Sequence, residues 1–377
     1  MKKESIFEFQ KGSLKTERQS NIELLRIISM LVIVIHHFAA HGMTDYSTYN
    51  PNLIGVEKVL SFYQTFGKVG VNVFVLIGAY FLVGKSFSSK RIISLLVLSL
   101  FYSTTIYWIM KIANIKLPVE IKNENLFLPI PGISSYWFVV SYMVMLLFMP
   151  LLNNFLRNTS KKQLRMFLLA LTIIWVIIPQ LNFFFPVKIG FDVSQLGYSV
   201  GISFIYLYLI AGYIRLYVVI KKKDWLNWLC ITILLFVCMY LSVKIPIDMS
   251  RGNADMYYFS KSMFQENSIL TILLAVAMLR LFLSIDLGSS KIINYVSAST
   301  FAVYLIHDNS LLRDYLWKIV DNSKITSAKV MILYSLKVTA AIFLFCILID
   351  IVRRILLGKL FTLFASKTGK ILDKLII

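Results

Sequence analysis

Acidic residues are scarce in this chain, and charge of either sign is thin. Asp and Glu number 19 against 39 Lys and Arg, and only 15% of the 377 residues are charged. With 58% hydrophobic residues and a mean hydropathy of +0.73, there is too little polar surface to cover a water-soluble globule. Cysteine is rarer still. Cys230, Cys238 and Cys346 each sit inside an apolar run without metal-type spacing, which excludes a disulfide framework and leaves them as packing residues. No Gly-rich phosphate loop, low-complexity segment or internal repeat is present. The basic N-terminal stretch enters an apolar run without a small-residue cleavage site, so no cleavable signal peptide is expected.

What the chain does have is apolar stretches of membrane-crossing length, roughly 20 residues each, separated by short polar breaks. They cover about 22–41, 69–83, 92–110, 135–152, 166–179, 199–217, 226–243, 268–284, 294–312 and 330–351. The expected fold is therefore all-α: a polytopic integral membrane protein of about ten transmembrane helices, with the lipid bilayer as its solvent. A net charge of +20 would suggest nucleic acid in a soluble protein. Here most of the Lys and Arg fall in 1–26, 85–91, 157–165, 215–223, 280–291 and 353–374, alternate connectors that share one side if the N-terminus is inside. This is the positive-inside pattern, so no nucleic-acid partner is expected and both termini are placed in the cytoplasm. The domain reading is a cytoplasmic segment at 1–21, one membrane domain at 22–352 and a basic cytoplasmic tail at 353–377. The outer connectors 42–68, 111–133 and 244–266 are longer and carry acids and prolines, which assigns recognition to the outer face.

Ionisable groups inside a bilayer are expensive and mark function by default. The first span, NIELLRIISMLVIVIHHFAAH, carries Arg26 toward its inner end and His36, His37 and His41 toward its outer end. Eleven residues separate Arg26 from His37, which brings them within about 20° of one helix face and about 16 Å apart along the axis. His36 lies about 80° off that line, while His41 shares it one turn nearer the outer water, where a solvated histidine is expected. The ninth span ends in His307, Asp308 and Asn309 at a similar depth to His37. A histidine beside a carboxylate suits a proton relay or hydrogen-bond cluster, and a helix-terminal cap is the simpler role for Asp308 or Asn309. A zinc site from His37, His41 and His307 lacks an HExxH pattern or an acidic third ligand. No metal is expected.

Four segments resemble those of the integral membrane acyltransferase family 3, which O-acylates bacterial surface glycans. They are Arg26 and His37 with ten residues between them, Gly70-Val-Asn-Val-Phe-Val-Leu-Ile-Gly-Ala-Tyr80, Tyr136-Trp137-Phe138 running through Tyr142 to Pro150, and Thr300-Phe301-Ala302-Val303-Tyr304-Leu305-Ile306-His307. They fall in family order across nearly the whole chain. Ile77 stands where the family usually has Ser, which argues against a polar role at that position. The chain stops soon after its tenth span, so acyl handover through the extra esterase-like domain of some members is not expected.

The resemblance implies a multi-pass protein of the bacterial plasma membrane that moves an acyl group, most often acetyl from cytoplasmic acetyl-CoA, to a hydroxyl of a cell-surface or lipid-linked polysaccharide. The residues suit that chemistry. His37 is the expected general base, or an acyl-imidazole nucleophile. Arg26 is expected to hold donor phosphates or orient the histidine, and Arg91 is a second phosphate candidate. His307 is expected to donate to the oxyanion or position the acceptor. Tyr136, Trp137, Tyr304, Asp308 and Asn309 complete the expected substrate contacts. The rival reading is a flippase or transporter of a lipid-linked glycan or small solute, since intramembrane His, Arg and Asp also mark translocation paths. No paired halves with matching broken helices support it.

Overall fold

The computed structural model describes residues 19–44, 50–116, 136–184, 198–250 and 265–376, which form helices and connectors with no strand among them. The N-terminal residues 1–18 and most of the connectors 111–133 and 244–266 lie outside the described residues. A bilayer core offers backbone groups no water to bond, so a chain this apolar satisfies them within helices.

Eight stretches of helix are long and apolar enough to cross a membrane. They are α1 (Ser20–His41), α2 (Ile54–Leu82), α3 (Ser89–Ile112), α4 (Trp137–Asn158), α5 (Lys161–Thr172) continuing through a π turn at Ile173–Ile177 into α6 (Ile178–Phe184), α7 (Val200–Tyr217), α8 (Trp225–Ser250) and α13 (Ala328–Ile376). The apolar α9 (Ile269–Ser284) is shorter. The expected ninth span, 294–312, is broken into α10 (Lys291–Ser297) and α11 (Thr300–His307), and α12 (Arg313–Val320) follows it. The protein is an all-α polytopic membrane protein.

Two boundaries differ from expectation. The second span starts at Ile54, so most of the supposed outer connector 42–68 is helix. Hydropathy misses its first half because Glu57, Lys58 and Gln64 interrupt the apolar run, yet both charged residues have partners within the protein. Glu57 is fully buried and accepts from Asn50 N at 3.2 Å, and Lys58 pairs with Asp248. The last expected span continues without a break into the basic segment that follows it, since α13 runs for 49 residues, about 74 Å and far longer than a bilayer requires.

α1 and α2 form the centre of the bundle, while α5 and α8 expose most of their apolar surface at its periphery, as lipid-facing helices should. Close approach of α1 and α2 depends on glycine. A Cβ on Gly67 would land on the His36 side chain, and one on Gly70 would sit 2.8 Å from the Ser29 carbonyl. α3 is tied to α13 by a buried chain in which the Tyr102 hydroxyl donates to Asp350 at 2.7 Å and Arg353 Nε donates to the same oxygen at 2.7 Å.

The connectors grouped by charge also meet in space. Ser20 bonds Asn294 and Ser290, Asn21 Nδ2 donates to the carbonyls of Phe282 and Ile285, and Lys222 pairs with Asp286. Asn153 ties down Gly84 and Lys85, the Tyr217 hydroxyl donates to Thr159, and Ser89 N donates to Asp373. Thr44 with Asn322 and Lys58 with Asp248 join at the opposite end. Both ends of the described chain therefore lie at one end of the bundle.

Candidate active site

One stripe of α1 organises the site. Arg26, Met30, Ile33 and His37 recur at steps of four, three and four residues, which keeps them on one helix face. Met30, Ile33 and His37 line a cleft closed by Val71 and Phe74 of α2, Trp137 and Phe138 of α4, and Phe301 and Tyr304 of α11. The Arg26 guanidinium lies 5.9 Å from the Phe74 ring centroid. The space beside the stripe is thus an apolar cleft, constricted to about 20 Å³ open to the centre of a water, room for little more than one molecule.

At the far end of the stripe the two expected histidines meet. His37 Nδ1 and His307 Nε2 are 2.8 Å apart, and His307 Nδ1 lies 2.6 Å from the Val303 carbonyl. A carbonyl only accepts, so His307 Nδ1 carries the hydrogen in that bond. In the neutral ring His307 Nε2 is then the acceptor, His37 Nδ1 is the donor, and His37 Nε2 keeps its lone pair. The relay fixes the tautomer that makes His37 a base. Both rings are buried.

His37 Nε2 faces the Asp308 carboxylate, with Oδ2 at 3.8 Å. Asp308 is itself buried, with His41 Nε2 at 3.8 Å and Arg313 Nη1 at 3.6 Å from its other oxygen. The break in the ninth span creates this arrangement. α11 ends at His307 with Asp308 as its C-cap. Asn309 then turns the chain into α12, because its Oδ1 accepts from Leu311 N and its carbonyl accepts from the amides of Leu312 and Arg313.

The remaining expected residues separate into two groups. Trp137 and Tyr304 line the cleft, and the buried Tyr304 hydroxyl, near the Phe138 backbone, makes no hydrogen bond of ordinary geometry among the described residues. Tyr136 and Asn309 are occupied within the protein: the Tyr136 hydroxyl donates to Leu305 O at 2.8 Å and accepts from Asn309 Nδ2. Arg91 donates to Ser86 O at 2.8 Å, away from the histidines. Tyr142 lies within electrostatic reach of both Arg26 and Arg91. Its hydroxyl fills the space where a Cβ on Gly78 would stand.

Two neighbours of the site, Glu23 and Arg313, are not among the expected residues. Glu23, buried one turn before Arg26, holds its guanidinium at 3.1 Å and accepts from Ser297 of α10. Its three-residue spacing from Arg26 was the available signal. Arg313, five residues beyond Asp308, had no periodic signal across the break. His41, expected at the outer water, keeps 31% of its side chain exposed and also brings its Nε2 to 3.8 Å from Asp308.

A family model describing an acyltransferase domain, that of acyltransferase family 3, matches residues 19–351. The chain belongs to this family. None of the curated proteins and none of the solved structures compared with it matches. The matched region runs from the start of α1 into α13 and takes in Arg26, both histidines of the relay and the cleft. The protein is accordingly a membrane acyltransferase.

Proposed function

We propose that this acyltransferase moves an acetyl group from acetyl-CoA on the cytoplasmic side to a hydroxyl of a cell-surface or lipid-linked polysaccharide, at the plasma membrane of a bacterium. The observation that carries the proposal is the Val303–His307–His37 relay, which presents a neutral imidazole lone pair at the end of a stripe whose other end is Arg26.

A sugar hydroxyl is a weak nucleophile near neutral pH. His37 Nε2 takes its proton as the oxygen attacks the thioester carbonyl carbon. The C–S bond breaks as the tetrahedral intermediate collapses, and His37 returns the proton to the departing CoA thiolate. The balance is one O-acetyl ester and one thiol, with His37 neutral at both ends of the cycle. Asp308, facing Nε2, stabilises the imidazolium that exists between the two transfers. His307 acts through His37: with one nitrogen committed to Val303 and the other to His37, it has no free N–H for an oxyanion, and its role is positioning. The Tyr304 hydroxyl is the donor available to the developing oxyanion. Arg26 supplies positive charge for the donor phosphates at the other end of the stripe, with Arg91 as a second contact. Trp137 offers an aromatic face to the glycan.

The test is purified protein with labelled acetyl-CoA, alongside comparison of the cell-surface polysaccharide by mass and NMR with and without the protein. Label on the glycan and one acetyl group per repeat support the proposal. Movement of unmodified glycan without acylation refutes it in favour of transport. His37→Ala is expected to abolish acylation while the protein still inserts, and retained activity in that variant would reject His37 as the base.

A further inference from the structure

The sequence offered no acidic third ligand to accompany His37 and His41, but the fold supplies one. His37 and His41 stand one turn apart on α1 and address the two oxygens of Asp308, each at 3.8 Å. The three potential ligand atoms lie within 4.8 Å of one another. We infer that His37 Nε2, His41 Nε2 and Asp308 form a site for a divalent transition metal of the zinc type, and that its occupation blocks the acyltransferase by taking up the lone pair of the base. The blocking half rests on the proposed function. The binding half does not.

Several features beyond proximity point to a ligand. Zinc bonds of 2.0–2.2 Å in tetrahedral geometry place neighbouring ligand atoms about 3.4 Å apart, so each histidine has to approach the carboxylate by about 0.4 Å and the widest separation, within 4.8 Å, has to close by up to about 1.4 Å, within the reach of side-chain rotation. Two imidazoles and one carboxylate match a known zinc ligand set that leaves a fourth position open. Histidines that bind metal commonly donate their other N–H to a fixed acceptor, which aims the ligating nitrogen. His37 has that support in place through His307 and Val303. The same bonds exclude His307 as a ligand. Asp308 Oδ1 is buried and makes no hydrogen bond of ordinary length among the described residues, its nearest donors being Arg313 Nη1 at 3.6 Å and His41 Nε2 at 3.8 Å, so its lone pairs are not fully used. His41, with 31% of its side chain exposed, provides an entry route. Arg313 opposes the metal by its charge, but its side chain is 32% exposed and reaches Asp308 only at 3.6 Å, a loose pairing that a metal can displace.

The experiment uses the full chain in detergent or nanodiscs with any polyhistidine tag removed, titrated with Co²⁺ as a visible probe. Expected are d–d bands that saturate at one Co²⁺ per chain and are bleached by an equimolar amount of Zn²⁺. His41→Ala is expected to weaken binding by at least about 100-fold, beyond the 10- to 100-fold typical of losing an outer-shell partner. His36→Gln, whose ring is turned to the Gln64 carbonyl instead, is expected to bind Co²⁺ like the parent chain and serves as a folding control. Absence of stoichiometric bands, or bands unchanged in His41→Ala, overturns the site whatever the enzyme's substrate. Acyl transfer measured on the parent chain then tests the second half. Inhibition by Zn²⁺ at the concentration that displaces Co²⁺, reversed by a chelator, is expected. Unchanged or increased turnover with the site filled overturns the blocking role while leaving the metal site standing.

Discussion

Replacing His307 with alanine removes the acceptor of the His37 Nδ1 proton without touching His37 itself. The relay holds His37 in one tautomer because the alternative would leave a buried nitrogen unpaired at the 2.8 Å contact. Leaving a buried donor unsatisfied costs about 1–3 kcal/mol. Once His307 is gone, this cost falls on the Nδ1–H tautomer, and the Nε2–H form, which points at Asp308, becomes favoured. At about 1.36 kcal/mol per tenfold change, the base-competent fraction drops about 5- to 150-fold. The expected outcome is a fall in kcat of that size with KM nearly unchanged, against about 10²- to 10⁴-fold for removal of the base in His37→Ala. His307→Gln, whose amide oxygen can accept the same proton, should recover part of the loss. The double variant His37→Ala/His307→Ala should be no slower than His37→Ala alone, because His307 acts through the residue already removed. The assay is steady-state transfer of labelled acetyl to glycan by protein that elutes as a folded species. An unaltered kcat in His307→Ala, a change confined to KM, or fully multiplicative losses in the double variant would each refute the relay.

Three further outcomes are expected. Gly70→Val drives a side chain against the Ser29 carbonyl, which lies 2.8 Å from the new Cβ and cannot rotate away. The thermal transition should fall in line with an overpacking cost of about 1–3 kcal/mol, and activity should fall further because an ångström of displacement along the catalytic stripe costs about 10²-fold. Tyr102→Phe deletes the 2.7 Å bond to the fully buried Asp350. It should destabilise the protein by about 1.5–3 kcal/mol, the worth of a hydrogen bond to a charged group, as read by denaturant or thermal unfolding, with activity per folded molecule retained. A topology reporter fused after Ile377 should report the cytoplasmic side, and an external signal would overturn the orientation drawn from the basic connectors.

The parts of this protein written in local periodicity were legible before any coordinates. Arg26 and His37 share a face because the helix repeat puts them there, and Met30 and Ile33 fill the stripe between them. The depth of His307 followed from counting along an apolar run. What sequence could not give was pairing across about 270 positions: that His307 meets His37 through Nε2, or that Asp308 faces both His37 and His41. The start of α2 was hidden for a related reason. Glu57 and Lys58 read as loop residues in a hydropathy window, and their partners Asn50 and Asp248 are visible only in the fold. The interruption of the ninth span was also missed, because Ser297, Ser299 and Thr300 are too mild in composition to announce a break. The other end of α11 was legible: Asp308, offered by the sequence as a helix-terminal cap, is its C-cap and ends the helix inside the protein.

The state of the cleft bears on how such a site avoids wasting its donor. A thioester beside an activated base would hydrolyse if water reached it, and a dry site is the general remedy. Met30, Ile33, Val71, Phe74, Trp137, Phe138 and Phe301 surround the approach to His37 with apolar and aromatic surface, leaving space for about one water. On the proposed reading, donor and acceptor must therefore enter by displacing these side chains rather than a column of solvent. Trp137 is the natural gate, because it lines the cleft and is only half-buried, with the Lys68 ammonium 5.9 Å from its ring. Trp137→Ala should then raise hydrolysis of acetyl-CoA in the absence of acceptor relative to transfer in its presence. A variant that loses transfer without gaining hydrolysis would show that Trp137 binds the glycan and does not guard the base.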